Sequence, residues 1–272
     1  MSRRLTSVAI MTGPGSGRLA GEVAIVTGST SGLGRAVARL FTREGARVVV
    51  TGRDRERGRR VTEAITDEGG EAAFVAADLL DEAACDALVA TAVDRFGRLT
   101  VLVNNAVAKG GLPDGPVTRV TTEAWEATLR VNLTAVAWLC RAAIPEMGKA
   151  GHGSIVNISS RAAERGTPGL AAYAASKGGM NALTRSIAVD YARDNVRCNT
   201  VSPGYILHER RDADLDEERR HRLEGMHLTR LGTATDVAYA AVYLASTEAE
   251  FVTGINLPVD GGSTAARGLV LG

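Results

Sequence analysis

The chain has 272 residues, of which 45% are hydrophobic, 4% are aromatic and 31 are glycine, a composition typical of an alanine- and valine-rich α/β protein. Its 32 Lys and Arg residues balance 31 Asp and Glu residues, so there is no overall positive field to hold nucleic acid or an anionic membrane. No apolar run reaches the roughly 18 residues that a membrane span requires. We therefore expect a soluble, cytoplasmic protein.

Two features of the sequence bear on domain organisation and metal binding. Residues 1–18 are too short and too rich in glycine for a signal peptide, which predicts a flexible tail before a single domain at 19–272. Cys85, Cys140 and Cys198 lack any Cys-x-x-Cys spacing and lie among apolar residues, which indicates buried reduced thiols. The four histidines form no tight ligand motif, so we predict no metal site.

The first element along the chain is a strand that leads into a glycine loop. A β-branched run at Glu22–Thr27 enters Gly28–Gly34, and a helical segment follows at Arg35–Glu44. Glycines allow a tight turn and let backbone N–H groups approach a pyrophosphate at a helix N-terminus. The spacing is Gly-x-x-x-Gly-x-Gly, and because ordinary turns also collect glycine, the loop alone is weak support for a phosphate cradle.

The second strand carries a signal for the type of cofactor. It spans Arg47–Thr51 and ends at Gly52 and Arg53, about 20 residues past the glycine loop, where a dinucleotide's ribose lies. An acidic residue there would bind the 2′-hydroxyl of NAD, whereas Gly52 leaves room and Arg53 offers a bidentate donor for the 2′-phosphate of NADP. The pattern favours NADP(H) and leaves NAD(H) open, since Arg53 also begins a charged, solvent-exposed segment.

The remaining elements alternate between strand and helix. Further strands are predicted at Glu71–Ala77, Thr100–Val103, Ser154–Ser159, Val196–Ser202 and Gly254–Val259, and helices at Asp81–Phe96, Thr122–Ala143, Tyr173–Arg193 and Asp236–Ala245. Because parallel strands need crossover connections, this alternation predicts an α/β fold with a Rossmann-like, doubly wound parallel sheet. Residues 205–226 are densely charged, which predicts a mobile helical lid over the substrate side or a simple solvated helix.

One short stretch carries the chemistry. Tyr173 and Lys177 are four residues apart and project from the same face of the predicted helix. A neighbouring ammonium group favours the phenolate form of a tyrosine and makes it a usable proton donor or acceptor. Ser160 follows the predicted strand Ser154–Ser159, at the edge where α/β proteins place their sites. The alternative is an ordinary pair on a helix surface.

These motifs, in this order and spacing, resemble the classical short-chain dehydrogenase/reductase family from about Leu19 to Gly262. Thr27-Gly28-x-x-x-Gly32-x-Gly34 is similar to the family's cofactor loop, Asn104-Asn105-Ala106 to its fourth-strand motif, and Pro203-Gly204 to its nicotinamide-side turn. The resemblance places Asn132, Ser160, Tyr173 and Lys177 on the family's catalytic tetrad. With Arg53, the implied cofactor-binding set is Gly28, Ser31, Gly32, Leu33, Gly34, Asp78, Leu79, Asn105, Tyr173, Lys177, Pro203, Gly204 and Ile206.

The resemblance implies hydride transfer between a nicotinamide and a carbon that bears oxygen. Tyr173 would exchange the hydroxyl proton, and Ser160 would orient the substrate oxygen. Lys177 would bind the nicotinamide ribose and lower the pKa of Tyr173, and Asn132 would hold a water that connects Lys177 to solvent. A homotetramer is likewise implied by the resemblance alone.

Two positions depart from the family pattern. Val107 stands where the fourth-strand motif usually has glycine, which alters the pocket shape. His208 stands where many relatives have a threonine that contacts the nicotinamide carboxamide; it either donates a hydrogen bond there or belongs to the lid.

The substrate stays open at this point. Residues 226–232 resemble the corresponding stretch of 3-oxoacyl carrier-protein reductases, which favours a ketone, a secondary alcohol or a 3-oxoacyl thioester. A dehydrogenase of a cyclic alcohol, diol, sugar or steroid is the alternative within the enzyme class. A non-catalytic nucleotide-sensing protein is the alternative outside it.

Overall fold

The computed structural model describes residues 17–108, 114–209 and 211–266. Nearly all of the predicted tail lies outside these residues. The strands are β1 (Val23–Val26), β2 (Arg47–Gly52), β3 (Glu71–Ala76), β4 (Val101–Asn104), β5 (Gly153–Ile158), β6 (Val196–Pro203) and β7 (Asn256–Val259). The α-helices are α1 (Gly32–Arg43), α2 (Arg55–Asp67), α3 (Glu82–Phe96), α4 (Thr122–Leu129), α5 (Ala135–Ala150), α6 (Ala171–Asp190), α7 (Glu217–Glu224) and α8 (Ala234–Ala245).

The seven strands form one parallel sheet in the order β3-β2-β1-β4-β5-β6-β7. This arrangement confirms the predicted Rossmann-like, doubly wound fold. The strand order reverses between β1 and β4, and a doubly wound sheet opens a crevice at the carboxyl ends of the strands flanking such a reversal. The fold thus places the glycine loop after β1 beside the Asn105 segment after β4.

Both faces of the sheet are covered by helices, which explains why the central strands are apolar throughout rather than alternating. Ala24 and Val26 of β1 pack in the same buried cluster as α1, α2 and α8. Val23 and Ile25 pack in the cluster with α3, α5 and α6. All four side chains are fully buried, so β1 forms the centre of the protein and holds the glycine loop at its end.

The helix predicted at Thr122–Ala143 differs from expectation. It is divided into α4 and α5 by a π-helical turn at Arg130–Thr134, and α5 continues to Ala150 through Pro145. A π turn shifts the hydrogen-bond ladder by one residue and is common at functional sites. Asn132 lies within this turn and is buried. The apolar pattern runs through the turn, so periodicity alone gave no sign of the break.

Most of the described residues in the charged segment 205–226 are not helical. Among the described residues of this segment, only α7 is a helix, and it is capped by Asp216, whose side chain accepts a hydrogen bond from the Arg219 N–H at 2.7 Å. The stretch before it is organised around the carboxylate of Asp212, which accepts hydrogen bonds from the Tyr205 hydroxyl at 2.6 Å and the His208 N–H at 2.9 Å. Its role as a mobile lid stays a prediction.

The three cysteines are buried free thiols, as predicted. Burial raises the pKa of Cys85 to about 11 and that of Cys140 to about 12, so these thiols stay protonated at neutral pH. Across the three described ranges, the helices are too short or too polar to cross a bilayer.

Candidate active site

A cleft of about 990 Å³ opens at the carboxyl ends of the strands. Every site residue predicted from the sequence lines it. The glycine-loop side comprises Gly28, Ser31, Gly32, Leu33, Gly34, Arg53, Asp78 and Leu79, and the other side comprises Asn105, Asn132, Ser160, Tyr173, Lys177, Pro203, Gly204 and Ile206. Residues separated by up to 178 positions in the sequence therefore share one cavity.

The glycine loop is held by hydrogen bonds between the ends of β1 and β4. The Thr27 hydroxyl accepts from the backbone N–H groups of Asn105 at 2.9 Å and Ala106 at 3.0 Å, and the Asn105 side-chain amide donates to the Thr27 carbonyl at 2.8 Å. A Cβ added at Gly34 would lie 2.4 Å from the Asn105 Nδ2 and 2.5 Å from the Gly28 carbonyl oxygen. Only glycine fits at residue 34, so the loop can close tightly over the start of α1.

The end of β2 presents an arginine side chain to the cleft. Arg53 is exposed on the cleft wall, and within the described residues it forms no ion pair. The neighbouring carboxylate of Asp54 is occupied elsewhere, since it accepts from the Arg57 N–H at 2.9 Å and pairs with the Arg57 Nε at 2.5 Å. Asp54 thereby caps α2 and leaves Arg53 available to an anion.

Ser160, Tyr173 and Lys177 converge where β5 ends against α6. The Ser160 hydroxyl accepts a hydrogen bond from the Ala162 N–H at 3.1 Å, which fixes the side chain in the turn after β5. The Lys177 Nζ lies 5.8 Å from the centre of the Tyr173 ring, as expected for residues four apart on one helix face. It donates to the Ile158 carbonyl at 2.7 Å. The spacing of four residues thus correctly predicted that the Tyr173 and Lys177 side chains lie close together.

Burial dominates the electrostatics of Lys177 and Tyr173. Lys177 is fully buried, and burial lowers its pKa to about 7. Burial also raises the pKa of Tyr173, whereas Ser160 and the Arg211 charge act in the opposite direction. Loss of hydration is therefore the largest cause of both shifts, and the lowering of the Tyr173 pKa by Lys177 stays a prediction.

Asn132 connects three parts of the site. Its side-chain oxygen accepts from the Ala108 N–H at 2.8 Å, and its amide donates to the Ser176 hydroxyl at 3.1 Å. Ser176 in turn donates to the Tyr173 carbonyl at 2.7 Å. The π turn thus fixes the loop after β4 and the first turns of α6 relative to each other.

The comparisons with known proteins agree with this geometry. Residues 28–264 match the family model described as enoyl-(acyl carrier protein) reductase. The chain is 37% identical over 245 residues to 2,5-dichloro-2,5-cyclohexadiene-1,4-diol dehydrogenase from Sphingobium indicum, which covers 90% of this chain and 97% of that protein. This chain belongs to the short-chain dehydrogenase/reductase family.

Two further relatives show the range of substrates in the family. A 3-oxoacyl-[acyl-carrier-protein] reductase from Thermotoga maritima is 35% identical, with 90% of this chain and 98% of that protein covered. The solved complex of 7α-hydroxysteroid dehydrogenase with NADH and 7-oxo glycochenodeoxycholic acid aligns with a TM-score of 0.84 at 33% identity, covering 90% of this chain and 95% of that one. The short-chain dehydrogenase/reductase described here is accordingly a nicotinamide-dependent oxidoreductase that acts on CH–OH or carbonyl groups of small molecules.

The structure adds residues that the sequence analysis missed. The Asp114 carboxylate accepts from the Ala172 N–H at 3.1 Å and the Tyr173 N–H at 2.9 Å, so it caps α6 from a distant loop. Arg211 also lines the cleft, with its guanidinium 4.5 Å from the centre of the Tyr205 ring. The sequence shows Asp114 before a glycine and Arg211 in the charged segment 205–226. Neither pattern indicated that Asp114 would cap α6 or that Arg211 would stack on Tyr205.

His227 is a third residue that the sequence analysis missed. Its imidazole is buried, and its Nε2 accepts a hydrogen bond from the Tyr205 N–H at 3.1 Å. Its Nδ1 lies 2.8 Å from the Leu223 carbonyl oxygen, which places the ring proton on Nδ1. His227 therefore joins the end of α7 to the turn after β6.

Proposed function

We propose that this protein is an NADP(H)-dependent oxidoreductase that interconverts a ketone and a secondary alcohol, with Ser160, Tyr173 and Lys177 as catalytic residues. The observation that supports this most strongly is the convergence of these three side chains at one end of a cleft whose other end is a glycine loop. Asn132 joins them as the fourth member of the catalytic set.

The described residues fit a nicotinamide dinucleotide. The glycine loop leaves no room for a Cβ at residue 34, and α1 begins without an acidic residue in its first turn or a side-chain cap at Ser31. Its first N–H groups are thus available to a pyrophosphate. When bound, the nicotinamide supplies or accepts the hydride. Asn105, Pro203 and Gly204 would contact the nicotinamide ring in the opposite part of the cleft.

The protein's own groups would handle the proton. The Tyr173 hydroxyl would donate a proton to the substrate oxygen during reduction and accept it during oxidation. Ser160 would orient that oxygen, because its hydroxyl lies at the end of β5 beside Tyr173. Lys177 would bind the ribose hydroxyls, and Asn132 would hold a water beside it. A protonated Lys177 would then support the tyrosinate electrostatically, and the ribose contacts would offset its lost hydration.

The preference for NADP(H) rests on the end of β2. Gly52 presents no carboxylate to the ribose, and Arg53 presents an unpaired guanidinium within the described residues. An Arg–phosphate contact is charge-assisted and can be bidentate. Arg53→Ala should therefore weaken NADPH binding roughly tenfold or more and leave NADH binding nearly unchanged. Equal effects on the two cofactors would refute the preference.

The substrate end of the cleft supports an apolar carbon skeleton. Val107, Leu170 and Leu207 line it together with the ring of Tyr205. An acyl thioester is the leading candidate. A cyclic alcohol, diol or steroid is the second, since relatives of both kinds match nearly the whole chain.

The deciding experiment follows nicotinamide absorbance with purified protein, NADPH or NADH, and a panel from acetoacetyl thioesters to cyclic ketones and diols. Tyr173→Phe serves as the control, because it removes the proton donor but keeps the ring. Turnover that disappears in this variant while NADPH still binds would support the proposal. Retained turnover would refute the role of Tyr173, and cofactor binding without turnover across the panel would favour a nucleotide-sensing protein.

The assembly and location form a separate part of the proposal. Phe251 is fully exposed and Val189 largely so, and large exposed apolar side chains are typical of association surfaces. We include a cytoplasmic homotetramer in the proposal. Light scattering coupled to size-exclusion chromatography would measure the mass, and a monomer at assay concentrations would contradict it.

A further inference from the structure

His208 lies against the glycine loop although it comes from the segment after β6. A Cβ added to Gly32 would lie 2.8 Å from both the Cδ2 and the Nε2 of this imidazole. Gly32 is the first residue of α1. The Nε2 edge of the ring therefore lies beside the helix end that offers free N–H groups to an anion.

The hydrogen bonds of His208 orient its ring. The Nδ1 accepts from the Arg211 N–H at 3.3 Å, so the proton of the neutral ring is on Nε2. The backbone of His208 donates to Asp212 at 2.9 Å, and the Leu207 N–H donates to the Gly232 carbonyl at 2.9 Å. The donor that faces Gly32 is thus carried by a chain segment fixed on both sides.

A surface contact holds the same segment to α1. The carboxylate of Glu209, the next residue, pairs with the Arg35 guanidinium at 2.9 Å. Exposed pairs of this kind contribute little energy, but this one keeps residues 208 and 209 on the first turn of α1. An imidazole N–H and the N-terminus of α1 therefore border the same part of the cleft.

We propose that His208 is a pyrophosphate-binding residue, whose Nε2–H donates to an oxygen of the dinucleotide held by the glycine loop. The anion then lies between donors of α1 and a donor from the segment after β6. This inference rests on the proposed function, because it assigns a further contact to the same cofactor site. It differs from a contact with the nicotinamide carboxamide, since Nε2 lies at Gly32.

Binding of ADP-ribose tests this contact directly. This probe carries the pyrophosphate but neither nicotinamide nor a 2′-phosphate, so the result does not depend on the choice between NADP and NAD. Isothermal titration calorimetry would compare wild type, His208→Ala and His208→Gln, with Glu218→Gln, an exposed substitution on α7, as the matched control. A second probe, 2′-AMP, lacks the pyrophosphate.

His208→Ala should weaken the binding of ADP-ribose and NADPH about tenfold, because a hydrogen bond to a charged group is lost. Binding of 2′-AMP should stay unchanged, and His208→Gln, whose amide can donate, should recover part of the affinity. Glu218→Gln should behave as wild type.

Three results would overturn the assignment. The first is unchanged binding of ADP-ribose by His208→Ala. The second is a loss of affinity confined to NADPH, which would place the contact at the nicotinamide. The third is an equal loss of affinity for 2′-AMP, which would indicate a general disturbance of the cleft. Failure of the wild type to bind either ADP-ribose or NADPH would instead refute the proposed function, and the inference with it.

Discussion

Replacing Lys177 by Met should stabilise the protein at neutral pH while abolishing turnover. The side chain is fully buried, and its ammonium group donates to the Ile158 carbonyl oxygen at 2.7 Å and, weakly, to the Met180 Sδ at 4.0 Å. Methionine has a similar length and carries no charge, so it can occupy the same space. The buried ammonium group of Lys177, which is proposed to serve catalysis, is therefore expected to destabilise the folded protein.

The magnitude follows from the pKa of Lys177. Burial lowers it from 10.5 to about 7, and each pKa unit corresponds to about 1.36 kcal/mol. Below pH 7 the protonated lysine thus lowers the free energy of unfolding by about 5 kcal/mol relative to an uncharged side chain. The Met variant leaves the Ile158 carbonyl without this donor, at a cost of roughly 1–3 kcal/mol. The expected net gain at pH 7 is about 2–4 kcal/mol.

The sign of the pH dependence gives the sharper test. Between about pH 7 and pH 10.5 the unfolded state binds more protons at Lys177 than the folded state, so the stability of the wild type rises with pH. The variant lacks this contribution, and its advantage should shrink by about 3 kcal/mol between pH 7 and about pH 9.5.

Urea unfolding of both proteins at equal concentration would measure this difference, since other titrating groups contribute equally to the two. A variant less stable at pH 7, or an advantage independent of pH, would refute the argument that burial of Lys177 is uncompensated.

Three other substitutions, one of them with Gly148→Ala as its control, probe the contacts in and near the cleft. Arg211→Gln should raise the pKa of Tyr173, because the arginine charge lowers it. In a pH profile of kcat/KM for alcohol oxidation, the rise in activity should then occur at higher pH in the variant than in the wild type. An unchanged profile would contradict this. Gly34→Ala should reduce NADPH affinity more than tenfold in a fluorescence titration and lower the melting temperature. The control Gly148→Ala lies in an open position of α5 and should instead stabilise the protein by roughly 0.5–1 kcal/mol. If both variants lost the same stability, the effect of Gly34→Ala could not be assigned to the tight loop. His227→Phe should destabilise by about 1–3 kcal/mol in urea unfolding, since the partly buried Tyr205 N–H loses its acceptor, and unchanged stability would show that this bond contributes nothing.

Much of the fold followed from local patterns. Short β-branched runs alternate with helical segments, and such an alternation permits few arrangements because parallel strands require crossovers. The same local logic placed Tyr173 and Lys177 on one helix face, since a spacing of four residues is close to one helical turn. The glycine spacing likewise indicated a tight loop, and all three of its glycines, Gly28, Gly32 and Gly34, line the cleft.

The sequence by itself determined the succession of strands and helices along the chain, the glycine loop and the residue types of the site. Each of these follows from short stretches of neighbouring residues. Tertiary structure alone decided the π turn that buries Asn132, the capping of α6 by Asp114 and the approach of His208 to Gly32. It also decided the pKa of Lys177, which depends on how completely water is excluded. The contacts of Asp114 with Tyr173 and of His208 with Gly32 join groups 59 and 176 residues apart, and only packing of the whole chain brings such groups within a few ångströms.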